Sequence, residues 1–238
     1  MKSLYLLINL FSFIIPFIFS FHPRIKFYKE WKFVLPGILV SGLVYLSWDI
    51  YFAVNAYWGF NPLYITGYHI FELPIEEVLF FFCIPYASLF MHFCICKFFP
   101  NFHVSMSSLR YIVFSIIVFL LLGVVFNYTR AYTLVNFILT IIILLVTFTY
   151  RPILLKYFLA TFVFVLIPFF VVNGLLTGSF IHEQVVWYND MENLGIRIGT
   201  VPIEDVFYAL GMLLLAQLIA DLIRVKAEYL KKEKHNIN

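Results

Sequence analysis

Four carboxylates stand in two matched tetrads, Pro74-Ile75-Glu76-Glu77 and Pro202-Ile203-Glu204-Asp205, 128 positions apart, and each tetrad opens an otherwise apolar stretch. An acidic residue at mid-membrane costs about 2.5–3.5 kcal/mol on insertion scales, so a doubled pair calls for a use: proton chemistry, ion handling or helix capping. Proline is favoured at the first helical position, which is expected to put Glu76 and Glu204 third and Glu77 and Asp205 fourth. One acid is enough to cap a helix start and meet its dipole, a contribution of about 0.3–1 kcal/mol. The second acid, about 100° further round the helix, is left without that explanation. Asp49 adds a carboxylate near the outer end of the second apolar stretch, and Asn173 lies at a broadly comparable place in the sixth. Five acids and an amide are thus expected to converge at one depth. Close carboxylates in a dry pocket cannot all be ionised, so a protonated acid comes to stand beside an ionised base. Arg197, shortly before Pro202, is placed to hold one of these carboxylates ionised.

The elements that must position these groups belong to a membrane. The 238-residue chain is 63% hydrophobic and 12% charged, with 30 Phe and 16 Tyr, which is too little polar surface to cover a water-facing globule. Seven runs approach the length needed to cross a bilayer, at about 3–21, 33–54, 73–96, 110–127, 131–150, 153–176 and 201–223. The expectation is an all-α polytopic membrane protein with seven transmembrane helices. The net charge of +3 does not point to nucleic acid, because the basic residues sit at helix ends. With alternate loops on opposite sides, one side collects thirteen Lys and Arg, including Lys29, Lys97, Arg151 and Lys234, and the other only Lys2, Arg130 and Arg197. The amino terminus is therefore expected outside the cell membrane and the carboxyl terminus in the cytoplasm, with both tetrads toward the outer face. The first run follows Lys2 as a secretory signal would, but it is long, lacks a small-residue cleavage motif and precedes four basic residues, so it reads as a retained anchor. Cys83, Cys94 and Cys96 lack the spacing of a zinc or disulfide framework and read as packing residues.

Each tetrad follows a membrane helix and an aromatic outer loop, which suggests an internal duplication. Residues 1–98 and 129–238 read as two three-helix repeats of the same orientation, the second with a basic cytoplasmic tail, and residues 99–128 as a linker helix. The long outer loops, about 55–71 and 178–200, carry Trp58, Tyr64, Tyr68, Trp187 and Tyr188, which suit an interfacial aromatic belt or a lid over a lipid-facing cleft. His69 and His182 lie in the same loops and are secondary candidates for proton relay, while His22, His92, His103 and His235 are given no role. Asn189-Asp190-Met191-Glu192 carries metal-capable oxygens but reads as a solvated turn, and no metal or cofactor is called. The last membrane run contains no lysine for a retinal Schiff base, and no dinucleotide, phosphate-loop or Asp-rich diphosphate motif is present.

The segments Phe71 to Phe81 and Gly199 to Tyr208, each built around its acidic tetrad, closely resemble the signature segments of the membrane-integral lycopene cyclases. The resemblance spans nearly the whole chain, and the second segment, with Trp187-Tyr188-Asn189 upstream, is the more specific. It implies the fused bacterial form of an enzyme that closes the acyclic ends of lycopene into ionone rings, β rings being expected, without net oxidation. It also carries the motif acids onto Glu76, Glu77, Glu204 and Asp205. From their own positions in the sequence, Asp49, Asn173, Arg197, Trp187 and Tyr188 are expected around the substrate. Glu77 and Glu204 are the first choices for acid and base, in either order. The implied partner is a lipid-soluble carotenoid within the membrane, with no nucleic acid.

Two other classes stand beside this reading. A proton- or ion-coupled transporter also suits acids at helix starts, but it calls for polar residues continuing through the membrane, and Phe80 to Ile95 and Leu210 to Ile219 are almost wholly apolar. A non-catalytic scaffold would use the acids only as caps. A cyclase for longer, prenylated carotenoids differs from a lycopene cyclase only in pocket volume.

Overall fold

The computed structural model describes residues 2–237, with side chains through residue 233; Lys234 and His235 lie outside the described side chains. Seven α-helices account for most of it: α1 (Leu4–Ser20), α2 (Trp31–Val54), α3 (Ile75–Phe98), α4 (Met106–Phe126), α5 (Ala131–Tyr150), α6 (Pro152–Leu176) and α7 (Ile203–Ile237). Among the described residues, six helices are long and apolar enough to cross a membrane, whereas α1, at 17 residues, is shorter. The chain is consistent with a multi-pass membrane protein, and side chains such as Leu43, Phe114 and Ile167 that face outward are apolar, as a hydrocarbon surround requires.

Two differences from the sequence reading concern helix ends. α7 does not stop near residue 223 but continues to Ile237, because the tail holds no Pro or Gly and is rich in Lys and Glu. Pro74 and Pro202 are not first helical residues; each closes a two-residue ribbon, and the helix begins one residue later. Pro74 has extended ψ of 146°, so Glu76 and Glu77 occupy the second and third helical positions.

The loops at the tetrad end of the bundle contain six short strands: β1 (Trp58–Phe60), β2 (His69–Ile70), β3 (Leu73–Pro74), β4 (Val186–Tyr188), β5 (Arg197–Ile198) and β6 (Val201–Pro202). The β2–β3 and β5–β6 hairpins precede α3 and α7 in the same register, His69 opposite Pro74 and Arg197 opposite Pro202. β1 and β4 pair with each other, antiparallel, joining the two halves of the chain through Gly59 opposite Trp187. The helices interlace in the same reciprocal way. α1 packs on α3 as α5 packs on α7, while α2 crosses to α7 and α6 crosses to α3. At the end remote from the tetrads, Arg224 pairs with Glu30 at 2.6 Å and Arg151 with Asp221 at 2.5 Å.

Candidate functional site: an acidic cavity under an aromatic roof

The two acids of each tetrad point to different places, because successive helical residues diverge by about 100°. Glu76 Oε1 accepts the backbone N–H of Thr66 at 2.7 Å, and Glu204 Oε1 accepts that of Leu194 at 2.6 Å, in both cases ten residues upstream. The Thr133 hydroxyl also donates to Glu204 Oε1 at 2.7 Å. Glu76 and Glu204 are fully buried and tie the preceding loops to the helix starts. Neither caps its own helix, and neither lines the cavity described below.

Glu77 and Asp205 turn inward. The Tyr5 hydroxyl donates to Glu77 Oε2 at 2.6 Å, and the Tyr132 hydroxyl donates to Asp205 Oδ1. Tyr188 adds a second donor, to Asp205 Oδ2 at 3.1 Å. Burial, and then the Asp205 carboxylate, push the Tyr188 phenol well above its ordinary range, so it remains a neutral donor. Asp49 on α2 completes the cluster. It is 2% exposed, and no hydrogen bond reaches its Oδ2 among the described residues. Glu77, Asp49 and Asp205 line the same cavity. Three carboxyl groups thus share one site with two, one and no phenolic donors on Asp205, Glu77 and Asp49 respectively.

These three acids and Asn173 line a cavity of about 540 Å³, within the range of ligand pockets. Its roof is the β1–β4 ribbon. Residues alternate across a strand, so Trp58, Phe60, Val186 and Tyr188 face the cavity while Gly59 and Trp187 face outward. A Cβ on Gly59 would lie 2.3 Å from Trp187 Cζ2, so only glycine lets the indole lie flat across the ribbon. Trp58, Tyr132 and Tyr188 form a continuous aromatic wall, with Trp58 and Tyr132 centroids 5.1 Å apart and Tyr132 stacked on Tyr188 at 5.9 Å. Aromatic faces of this kind stabilise positive charge.

The remaining sequence candidates fall around the site. Arg197 Nη2 donates to Asp190 at 2.6 Å and Nη1 to the Thr200 carbonyl at 2.9 Å, so its ion-pair partner is Asp190 and not a tetrad acid. Its guanidinium stands 5.8 Å from the centre of the Tyr188 ring, touching the site only through that ring. His69 and His182 line recesses on the outer surface, apart from the acids. In the turn at 189–192, Glu192 Oε2 accepts the N–H of Ala131 at 3.0 Å, capping the start of α5.

Sequence reasoning left out Tyr5, Tyr132 and Tyr208, all of which line the cavity. A signal for the first two existed: Tyr5-Leu-Leu-Ile-Asn9 recurs as Tyr132-Thr-Leu-Val-Asn136. Both asparagines do the same work, Asn9 donating to the Glu76 carbonyl and Asn136 to that of Glu204, each at 2.7 Å. They lock α1 to α3 and α5 to α7 so that each tyrosine meets its carboxylate.

A scan of protein-family models matches the chain to the lycopene cyclase family over residues 2–95 and 129–223. No curated protein and no solved structure matches it. The two matched segments cover most of the chain and leave out the region of α4, and the chain belongs to the lycopene cyclase family. Membership makes it an enzyme of carotenoid cyclisation, with a carotenoid as its substrate class.

Proposed function

We propose that this lycopene cyclase family member converts the acyclic ends of lycopene to β-ionone rings by proton transfer within the Asp49, Glu77 and Asp205 cluster. A carboxyl group protonates the terminal double bond and leaves a tertiary carbocation. The neighbouring double bond attacks that centre and closes the ring, and a carboxylate removes a ring proton. One proton enters and one leaves, so the reaction is redox-neutral.

The observation that carries this reading is the graded donor set. Hydrogen bonds to a carboxylate favour its charged form, and a buried carboxyl without them is better kept neutral. Asp205, with two phenolic donors, is the proposed base; Asp49, with no donor to Oδ2, is the proposed acid. Glu77, in the same cavity, stabilises the passing cation together with Trp58, Tyr132 and Tyr188. Fixed charges and aromatic faces in a dry cavity act strongly on such an intermediate because no water has to reorganise. Glu76 and Glu204 take a positioning role in this scheme, which moves the pair of first choices from Glu77 and Glu204 to Asp49 and Asp205.

The scheme is built from two modules, 1–98 and 129–238, joined by a linker at 99–128, with the amino terminus outside and the acid cluster toward the outer leaflet. Reconstitution tests it. Purified protein in liposomes containing lycopene is expected to yield ring-bearing products on chromatography, without any added redox cofactor. Proton or ion flux with no ring formation would favour the transporter reading, and activity only on prenylated carotenoids would move the substrate to that longer class.

A further inference from the structure

The cavity is not confined to the acids. On α3 its lining runs through Glu77, Phe80, Ile84, Ala87, Met91 and Ile95, one helical face from the first turn to the last. At 1.5 Å per residue this stripe spans about 27 Å. α6, antiparallel to α3, supplies Asn173 near the acids and Val165 further in, and α1 supplies Ser12 and Pro16. Apart from small polar groups the groove beyond the acids is hydrocarbon, and Phe11 and Ile15 on its rim are exposed to the surroundings. Among the described lining residues, carboxyl groups stand only at one end.

The corresponding face of α7 lines the same cavity over its first turns, through Asp205, Tyr208 and Met212, and is filled beyond them. Ser88 stands as far beyond Pro74 as Ala216 does beyond Pro202. Ser88 lines the groove, whereas Ala216 is covered by α2: a Cβ on Gly37 would lie 2.3 Å from the Ala216 carbonyl oxygen. Ser41 Oγ donates to the Met212 carbonyl at 2.8 Å, fixing α2 against α7 where the α7 lining ends. The Tyr45 hydroxyl closes over Gly211, where an added Cβ would meet it at 2.4 Å. Past Met212 and Leu213 the α2–α7 cleft is a sealed seam, whereas the α1–α3–α6 cleft stays open as far as Ile95.

Resting on the cyclase reading above, we propose that the α1–α3–α6 groove is the seat of the substrate's linear polyene stem, entered sideways from the lipid between α1 and α6. One end of the substrate lies at Asp49, Glu77 and Asp205 while the stem runs along α3 toward Ile95. With the second cleft sealed, each binding event presents one end. A second ring requires release and re-entry in the reverse direction.

The test compares two substrates on Ala87→Phe, which places a ring in the groove about 15 Å from Glu77. One substrate is lycopene; the other is a truncated lycopene derivative with the same acyclic end on a stem too short to reach Ala87. The variant is expected to lose about ten-fold or more of its activity on lycopene, as overpacking by a few methylenes does, and much less on the short substrate. Cyclisation of the short substrate also reports that the variant is folded; should Ala87→Phe not accumulate, Met91→Trp, deeper in the groove and half-buried, is read the same way. Any two-ring product should follow a one-ring product in time and be suppressed by excess lycopene. Undiminished lycopene turnover in the variants, or equal loss on both substrates at normal protein levels, would overturn the groove assignment. If the unsubstituted protein cyclises neither substrate, the cyclase reading itself fails.

Discussion

Tyr132 donates its hydroxyl to Asp205 across the α5–α7 interface, as Tyr5 does to Glu77 across the α1–α3 interface. A hydrogen bond to a charged group contributes about 1.5–3 kcal/mol, so removing this donor leaves less of Asp205 in the ionised, proton-accepting form without opening a large cavity. Tyr132→Phe is expected to slow ring formation by about ten-fold or more. Tyr188→Phe should act in the same direction, and the double variant should be slower than either. Initial rates from pigment chromatography at matched protein levels check this.

The β1–β4 roof depends on Gly59. Gly59→Ala drives a methyl group into the Trp187 ring, and overpacking of this kind costs about 1–3 kcal/mol. The expected result is a lower midpoint of thermal unfolding in detergent. Gly59→Ala combined with Trp187→Ala should lose less than the sum of the two single losses, because the clash is then gone.

The Arg197–Asp190 tie gives the loop before α7 a pH dependence. Burial is the largest single influence on the Asp190 carboxyl and pushes it up, but hydrogen bonds from Arg197 and Asn193 together with the Arg197 charge outweigh it and hold the group below its usual range. A lowered folded value means the tie is fully present above the unfolded value of about 3.9 and is lost as pH falls through the lower folded value. Hydrogen exchange in residues 189–200, corrected for intrinsic rates, should therefore accelerate relative to the helices below about pH 4. Asp190→Asn should remove that step.

The membrane helices and the doubled acids were legible because hydrophobic run length and a repeated tetrad are local signals. α5 matches its expected span, and α6 does so within a residue. The partition of each tetrad was not legible. Whether Glu76 or Glu77 faces the cavity depends on where the helix starts, and the β2–β3 ribbon sets that start through a pairing with His69 that no local pattern announces. Arg197 lay near the tetrad in sequence, but its partner was decided by the loop that folds Asp190 beside it. The convergence of Asp49 with Glu77 and Asp205 arises from α2 crossing to the other half of the chain, a long-range packing choice made by Gly37 and Ala216.

The loop-tying acids should behave differently from the cavity acids when their hydrogen bonds are removed outright. Glu204→Ala leaves the Leu194 N–H and the Thr133 hydroxyl unpaired in a buried setting, which costs about 1–3 kcal/mol. Reduced accumulation and a lower unfolding midpoint are expected, with lost activity following protein level. Glu76→Ala should act likewise through Thr66.

The most direct measurement is the rate of ring formation in single amide variants, each normalised to protein in the membrane. An amide keeps the oxygen that accepts from Thr66 or Leu194 but cannot exchange a proton as a carboxyl does. Asp49→Asn and Asp205→Asn are expected to lose about 10²–10⁴-fold, the usual worth of general acid–base catalysis, with Glu77→Gln also strongly impaired. Glu76→Gln and Glu204→Gln should retain most of the rate. Near-normal ring formation in Asp49→Asn and Asp205→Asn, or a collapse confined to Glu76→Gln and Glu204→Gln at normal protein levels, would contradict the account.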